Sequence, residues 1–90
     1  MDIIFKYPIT TAQRQEIIIP KNGNIISLFH DGRTWCLYVK FCAETQTEVE
    51  SKMIRVYGTG NPIPDAEPLI FLGTIKEDWF IGHVFELLKP

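Results

Sequence analysis

Apolar, β-branched and aromatic residues along this chain gather into seven runs of six to ten residues, separated by short clusters rich in Gly, Pro, Asn or Asp. The runs are Ile3–Ile9, Gln15–Pro20, Asn24–His30, Arg33–Cys42, Lys52–Gly58, Leu69–Lys76 and Trp79–Leu88. That punctuation predicts extended strands joined by turns. Alternation within the runs is partial. In the fourth, Trp35, Leu37, Val39 and Phe41 share one face and Thr34, Cys36, Tyr38, Lys40 and Cys42 the other. In the fifth, Ile54 and Val56 oppose Met53, Arg55 and Tyr57; in the last, Trp79, Ile81, His83 and Phe85 oppose Phe80, Gly82, Val84 and Glu86. Strands with two semi-apolar faces need a second layer, so the expected fold is all-β and mainly antiparallel. It is a small β-sandwich or barrel-like meander of about seven strands, in preference to a single open sheet.

Between the runs, His30-Asp31-Gly32-Arg33 offers Asp-Gly as the two positive-φ residues of a type I′ hairpin turn. Pro20–Asn24 and Lys76–Trp79 also read as turns, which implies an antiparallel meander. Thr10–Gln15 suits a single helical turn capped by Thr10 or Thr11. Ala43–Ser51, carrying Glu44, Glu48 and Glu50, reads as a solvated hairpin loop; nothing in its pattern converges the carboxylates on a cation.

With 90 residues, 46% of them hydrophobic and 22% charged, the chain reads as one globular β-rich domain over residues 1–90. A core of this size leaves a thin stability margin, so a homo-oligomer is expected. A net charge of −2 gives no field that would gather nucleic acid or an anionic membrane. Met1–Lys6 has no cationic leader and no apolar stretch reaches membrane-spanning length, which points to a cytoplasmic protein. Cys36 and Cys42, six residues apart on one predicted strand, would lie about 20 Å apart if extended and so should remain reduced thiols.

No catalytic constellation stands out. Ser27 and Ser51 sit in no nucleophile elbow, the two thiols have no activating context, and two lone histidines match no metal spacing. Neither a cofactor nor a metal is expected. The most unusual stretch is Tyr57-Gly58-Thr59-Gly60-Asn61-Pro62-Ile63-Pro64-Asp65. Two glycines around Thr59 can turn successive N–H groups toward one anion, with Arg55 and Tyr57 alongside. The competing reading is a structural turn, in which the glycines supply positive φ and the prolines stiffen a crossover; residue statistics favour it. For His83, a partly buried, hydrogen-bonded histidine is favoured over a ligand contact, although an imidazole in a pocket could donate to an anion.

Lys6-Tyr7-Pro8, Gln15-Glu16-Ile17 before Ile19-Pro20, Ile54 through Gly60 with Pro62, Leu72-Gly73-Thr74 and His83-Val84-Phe85-Glu86 occur in that order along the chain. This pattern resembles a family of short bacterial and phage proteins carried as a domain of unknown function. Where many members of that family have His after the second glycine, this chain has Asn61. The resemblance implies a phage setting, in which small β-rich oligomers counter host defence by sequestering a nucleotide-derived signal. The expected function is then a non-enzymatic protein that holds a small anionic ligand of cyclic nucleotide or cyclic ADP-ribose type between subunits. Lys6 and Arg55 would neutralise charge, the Gly58-Thr59-Gly60 backbone would hold phosphate, and Tyr57 or His83 would meet the base or ribose. The alternatives are a protein-interaction module, acting as an inhibitor of a host enzyme or a small phage structural or assembly component, and a minor nucleotide-cleaving enzyme. The lack of an acid-base pair counts against the enzyme.

Overall fold

β-branched and aromatic residues recur through each predicted run, and each run forms a strand. The computed structural model describes residues 1–45 and 47–88. Its strands are β1 (Asp2–Pro8), β2 (Arg14–Pro20), β3 (Asn24–His30), β4 (Trp35–Cys42), β5 (Val49–Gly58), β6 (Leu69–Glu77) and β7 (Phe80–Leu87). They build two antiparallel sheets, a three-stranded one ordered β1-β4-β3 and a four-stranded one ordered β2-β5-β7-β6. The arrangement is an open sandwich, 15 Å thick in its shortest dimension, and not a closed barrel.

The core lies between the sheets. Leu37, Val39 and Phe41 from β4 face Ile17 and Ile19 from β2, Ile54 and Val56 from β5, Ile75 from β6 and Val84 from β7. These are the inward positions of strands with period two. Among the described residues, Leu37, Val39, Ile54 and Val84 are fully buried. At about 1.5–3 kcal/mol for each fully buried aliphatic side chain, this layer is the main force holding the sheets together.

Only two connections are simple hairpins, so the chain is not a meander. The Pro20–Asn24 turn forms, with Gly23 N–H donating to Pro20 O at 3.0 Å, yet the strands it joins lie in different sheets. A Cβ on Gly23 would sit 2.9 Å from both Pro20 O and Val39 Cγ1, so only glycine lets the chain pass this close beneath β4. The β3–β4 turn also departs from expectation. Gly32 is left-handed (φ 98°) but Asp31 is not, and the loop spans the four residues Asp31–Thr34, closed by Asp31 N–H to Thr34 O. Asp31 is instead fixed through its carboxylate, which accepts from the Arg33 and Thr34 amides and from Lys6 Nζ at 2.6 Å. Those bonds, the Lys6 one foremost, hold its carboxyl well below the usual carboxylate range.

Two further expectations fail. The Thr10–Gln15 helical turn does not form. Gln15 reaches back along the chain, accepting from Thr10 N–H and donating to the carbonyls of Thr10 and Ala12, while Thr10 Oγ1 accepts from Ala12 N–H. Side chains that satisfy the local backbone in this way compete with helix. The helical piece is a 3-10 turn at Ala43–Thr45, inside the predicted loop. That loop closes no hairpin, since β4 and β5 lie in different sheets, and its end is strand: β5 starts at Val49, because Pro20, Ile19 and Ile18 of β2 pair with Val49, Glu50 and Ser51.

Candidate functional site

Strand β5 sorts its residues by alternation. Ile54 and Val56 enter the core, so Arg55 and Tyr57 must face outward from the four-stranded sheet. Outward residues of a sandwich are normally wet, yet Arg55 is 6% exposed and Tyr57 2%. The cover is the crossover 59–68. It leaves β5 where Gly58 pairs with Gly82 and re-enters at β6 where Leu88 N–H donates to Pro68 O, so it runs the length of β7 over the outer face. Glu67 pins it there. One carboxylate oxygen accepts from the Tyr57 hydroxyl and the other lies 3.6 Å from Arg55 Nε.

Arg55 is incompletely bonded at this point. Arg55 Nε is fully buried and makes no hydrogen bond among the described residues, and Nη1 reaches only Ile54 O at 3.4 Å. Directly across the β2–β5 ladder stands Arg14, a second guanidinium on the same face. A buried, incompletely bonded charge costs free energy on the order of several kcal/mol, and such groups cluster at functional sites. Beside them Tyr57 meets Phe85 at a ring-centroid distance of 6.2 Å and Phe85 meets Phe71 at 5.5 Å, which makes an aromatic row. Burial, with the Glu67 hydrogen bond second, pushes the Tyr57 hydroxyl above its ordinary pKa, so it stays a donor.

His83, the β7 partner of Tyr57, completes the row. Its Nε2 is 2.9 Å from Thr59 Oγ1 and its Nδ1 3.2 Å from Thr74 Oγ1, so two hydroxyls fix the ring plane. Chemically the face offers cations, hydroxyls and flat apolar rings. That combination can hold an anion with an aromatic or sugar portion.

Of the residues expected to form a site, Arg55, Tyr57, Thr59 and His83 do share this face. Lys6 does not: it lies on β1 in the other sheet, paired with Asp31. Gly58-Thr59-Gly60-Asn61 is a β-turn closed by Asn61 N–H to Gly58 O at 3.0 Å, with Gly60 at φ 90°. Thr59 N–H donates to Ile81 O, so the central amide of the three that would cradle a phosphate is already bonded. The turn reading, which the residue statistics favoured, describes this loop. Sequence reasoning missed Arg14, Thr74, Phe85 and Glu67. The first three reach the face through strand register, and Glu67 carried one weak signal as an acid between prolines in a crossover.

Among the described residues no group of three or more His, Cys, Asp or Glu side chains converges as a metal site. The acidic segment is dispersed: Glu48 pairs with Lys21, and Glu50 accepts from Asn22 N–H and lies 3.9 Å from Lys52. Cys36 and Cys42 are not joined by a disulfide. Among the described residues no helix is long and apolar enough to cross a membrane. A family model described as Domain of unknown function (DUF7352) matches residues 1–90. No curated protein and no solved structure matches the chain.

Proposed function

This chain belongs to the DUF7352 family, and from the outer face of its four-stranded sheet we propose that it is a non-enzymatic protein that captures a small anionic ligand there. The observation that carries the reading is the buried Arg55 Nε without a hydrogen-bond acceptor, with Arg14 across the ladder and Glu67 as its counter-ion. An incoming phosphate would replace Glu67, bond the guanidinium bidentately and take up the charge of both arginines. The Tyr57–Phe85–Phe71 row and the His83 hydroxyl pair would meet a base or ribose. The ligand class is a nucleotide-derived signal of cyclic nucleotide or cyclic ADP-ribose type. The setting, a phage anti-defence sponge in the cytoplasm of a bacterial host, rests on the sequence pattern and not on this geometry. Holding a ligand needs a preformed surface and anion donors but no acid-base pair.

Thermal melts against a panel of cyclic dinucleotides, cyclic ADP-ribose isomers and linear nucleotides test this. At a hundredfold excess over Kd a bound ligand adds about 2.7 kcal/mol, a rise in Tm of about 10–20 °C for a domain of this size. Arg55→Met should abolish the rise and Arg14→Gln should weaken it, while chromatography of the same samples returns the ligand unchanged. A flat response to the whole panel, or a rise that Arg55→Met leaves intact, would reject the reading.

One observation favours a protein-interaction module as the second reading. Trp79, at the tip of the β6–β7 hairpin, is 98% exposed, and tryptophan is the residue type most enriched at binding hot spots. Such a role predicts that Trp79→Ser abolishes capture of a host enzyme and leaves the melts unchanged.

A further inference from the structure

The sandwich has four edge strands on two flanks, and the flanks differ in chemistry. Strands β3 and β6 approach each other on one side, where a Cβ on Gly73 would sit 2.9 Å from Leu28 Cδ2. This leaves β1 and β2 as the edges of the other side. The β1/β2 edges carry Asp2, Lys6, Pro8, Arg14, Glu16 and Pro20. Charges and prolines are the usual means of keeping an open edge from pairing. β3 carries none of these, and β6 none from Leu69 to Ile75; its charges, Lys76 and Glu77, stand at the hairpin end of the strand.

In their place the β3/β6 flank presents apolar side chains to solvent. Ile26 is 48% exposed, Phe29 64%, Ile70 45% and Phe71 58%. A cleft of about 220 Å³ runs between the two strands, lined by Ile25, Ile26, Ser27, Ile70, Phe71 and Leu72 without a charged group. It adjoins a second concavity walled by Ser27, Leu28, Phe29 and Tyr38 on the outer face of the three-stranded sheet.

We infer that two copies of this chain pair through the β3/β6 flank about a two-fold axis. A two-fold contact sets one patch against itself, so any charge within the patch can meet its own like charge; a patch without charges is self-complementary. A partner of other chemistry would be read through polar complementarity, and the cleft and the concavity beside it offer Ser27 and the Tyr38 hydroxyl as polar side-chain groups. The charge-free seven-residue lengths of β3 and β6 run about 23 Å along the flank, and the Phe29–Tyr38 surface widens it; a stable dimer buries roughly 800 Å² per partner. That area is about one-seventh of the 5892 Å² surface of the chain. The asymmetry between flanks then has a cause, since edges covered by a partner need no guarding charges.

Sedimentation velocity and light scattering on the full chain without added ligand test this, so failure leaves the reading of Arg55 standing. Wild type should show twice the chain mass. Ile70→Lys and Phe71→Glu, both at exposed positions and checked for folding by circular dichroism, should raise the dimer dissociation constant at least about tenfold. Ile18→Lys, exposed on the opposite flank, should leave it unchanged. A wild type that stays monomeric at the highest soluble concentration would overturn the inference. So would a dimer that survives both flank variants or dissociates with Ile18→Lys.

Discussion

Glu67→Ala removes the counter-ion of a charge that the crossover has taken out of water. At 3.6 Å, and with an effective dielectric constant of about 20, the Arg55–Glu67 attraction is about 4–5 kcal/mol before desolvation is subtracted. The Arg55 side chain is 7% exposed and that of Glu67 18%. The pair is therefore closer to a buried than to a surface salt bridge, and breaking such a pair from one side costs about 3–5 kcal/mol. Water reaching the Glu67 end, and the tie to Tyr57 that is lost as well, act in opposite directions, so a loss of about 3 kcal/mol is expected. For a domain of this size that is a fall in Tm of about 12–24 °C. Urea titration at constant m gives the free energy directly. The cause is isolated by repeating the change in an Arg55→Met background. With no buried cation left to strand, Glu67→Ala should then cost less by about 1.5 kcal/mol or more, a coupling within the range of direct contacts. A Glu67→Ala loss below about 1 kcal/mol, or the same loss in both backgrounds, would refute the account of Arg55 as a buried charge held by a single carboxylate.

Three further outcomes follow from the geometry. The Tyr57 hydroxyl has its pKa raised above the ordinary 10.0 by burial. Its contribution is therefore complete below pH 10 and is lost as pH rises through the folded value; Tyr57→Phe should flatten that alkaline limb of the stability curve. Asp31 is shifted the other way, so its contribution is present above the ordinary carboxylate value of 3.8 and disappears as acid takes the pH down through the depressed folded value. Asp31→Asn should remove that part of the acid limb in a pH series of melts. Finally, a methyl on Gly82 would lie 2.5 Å from Phe80 Cε2 and 2.8 Å from Val56 Cγ1, so Gly82→Ala should cost about 1–3 kcal/mol by overpacking in urea titration.

What the chain determined by itself is local. Runs of β-branched and aromatic residues between turn formers give seven strands at nearly their observed positions, since strand propensity and turn chemistry act over a few residues. The alternation of Leu37, Val39 and Phe41, and of Ile54 and Val56, likewise grouped residues that share the core face, because a period of two fixes which side chains lie together, though not which face is buried. It also placed Arg55 and Tyr57 together. The turn at Pro20–Asn24 was legible too, but not that β2 and β3 part into different sheets. Nor could the sequence say that β1 pairs with β4, that Arg14 stands opposite Arg55, or that Glu67 comes back to cover them. Those facts rest on pairings between segments far apart in the chain. Any extended segment offers the same backbone donors and acceptors, so local propensity is indifferent to the partner, and the choice falls to which arrangement buries the apolar faces without slipping register. The buried, incompletely bonded guanidinium of Arg55 exists only once that arrangement has been made, which is why the candidate site belongs to the tertiary structure.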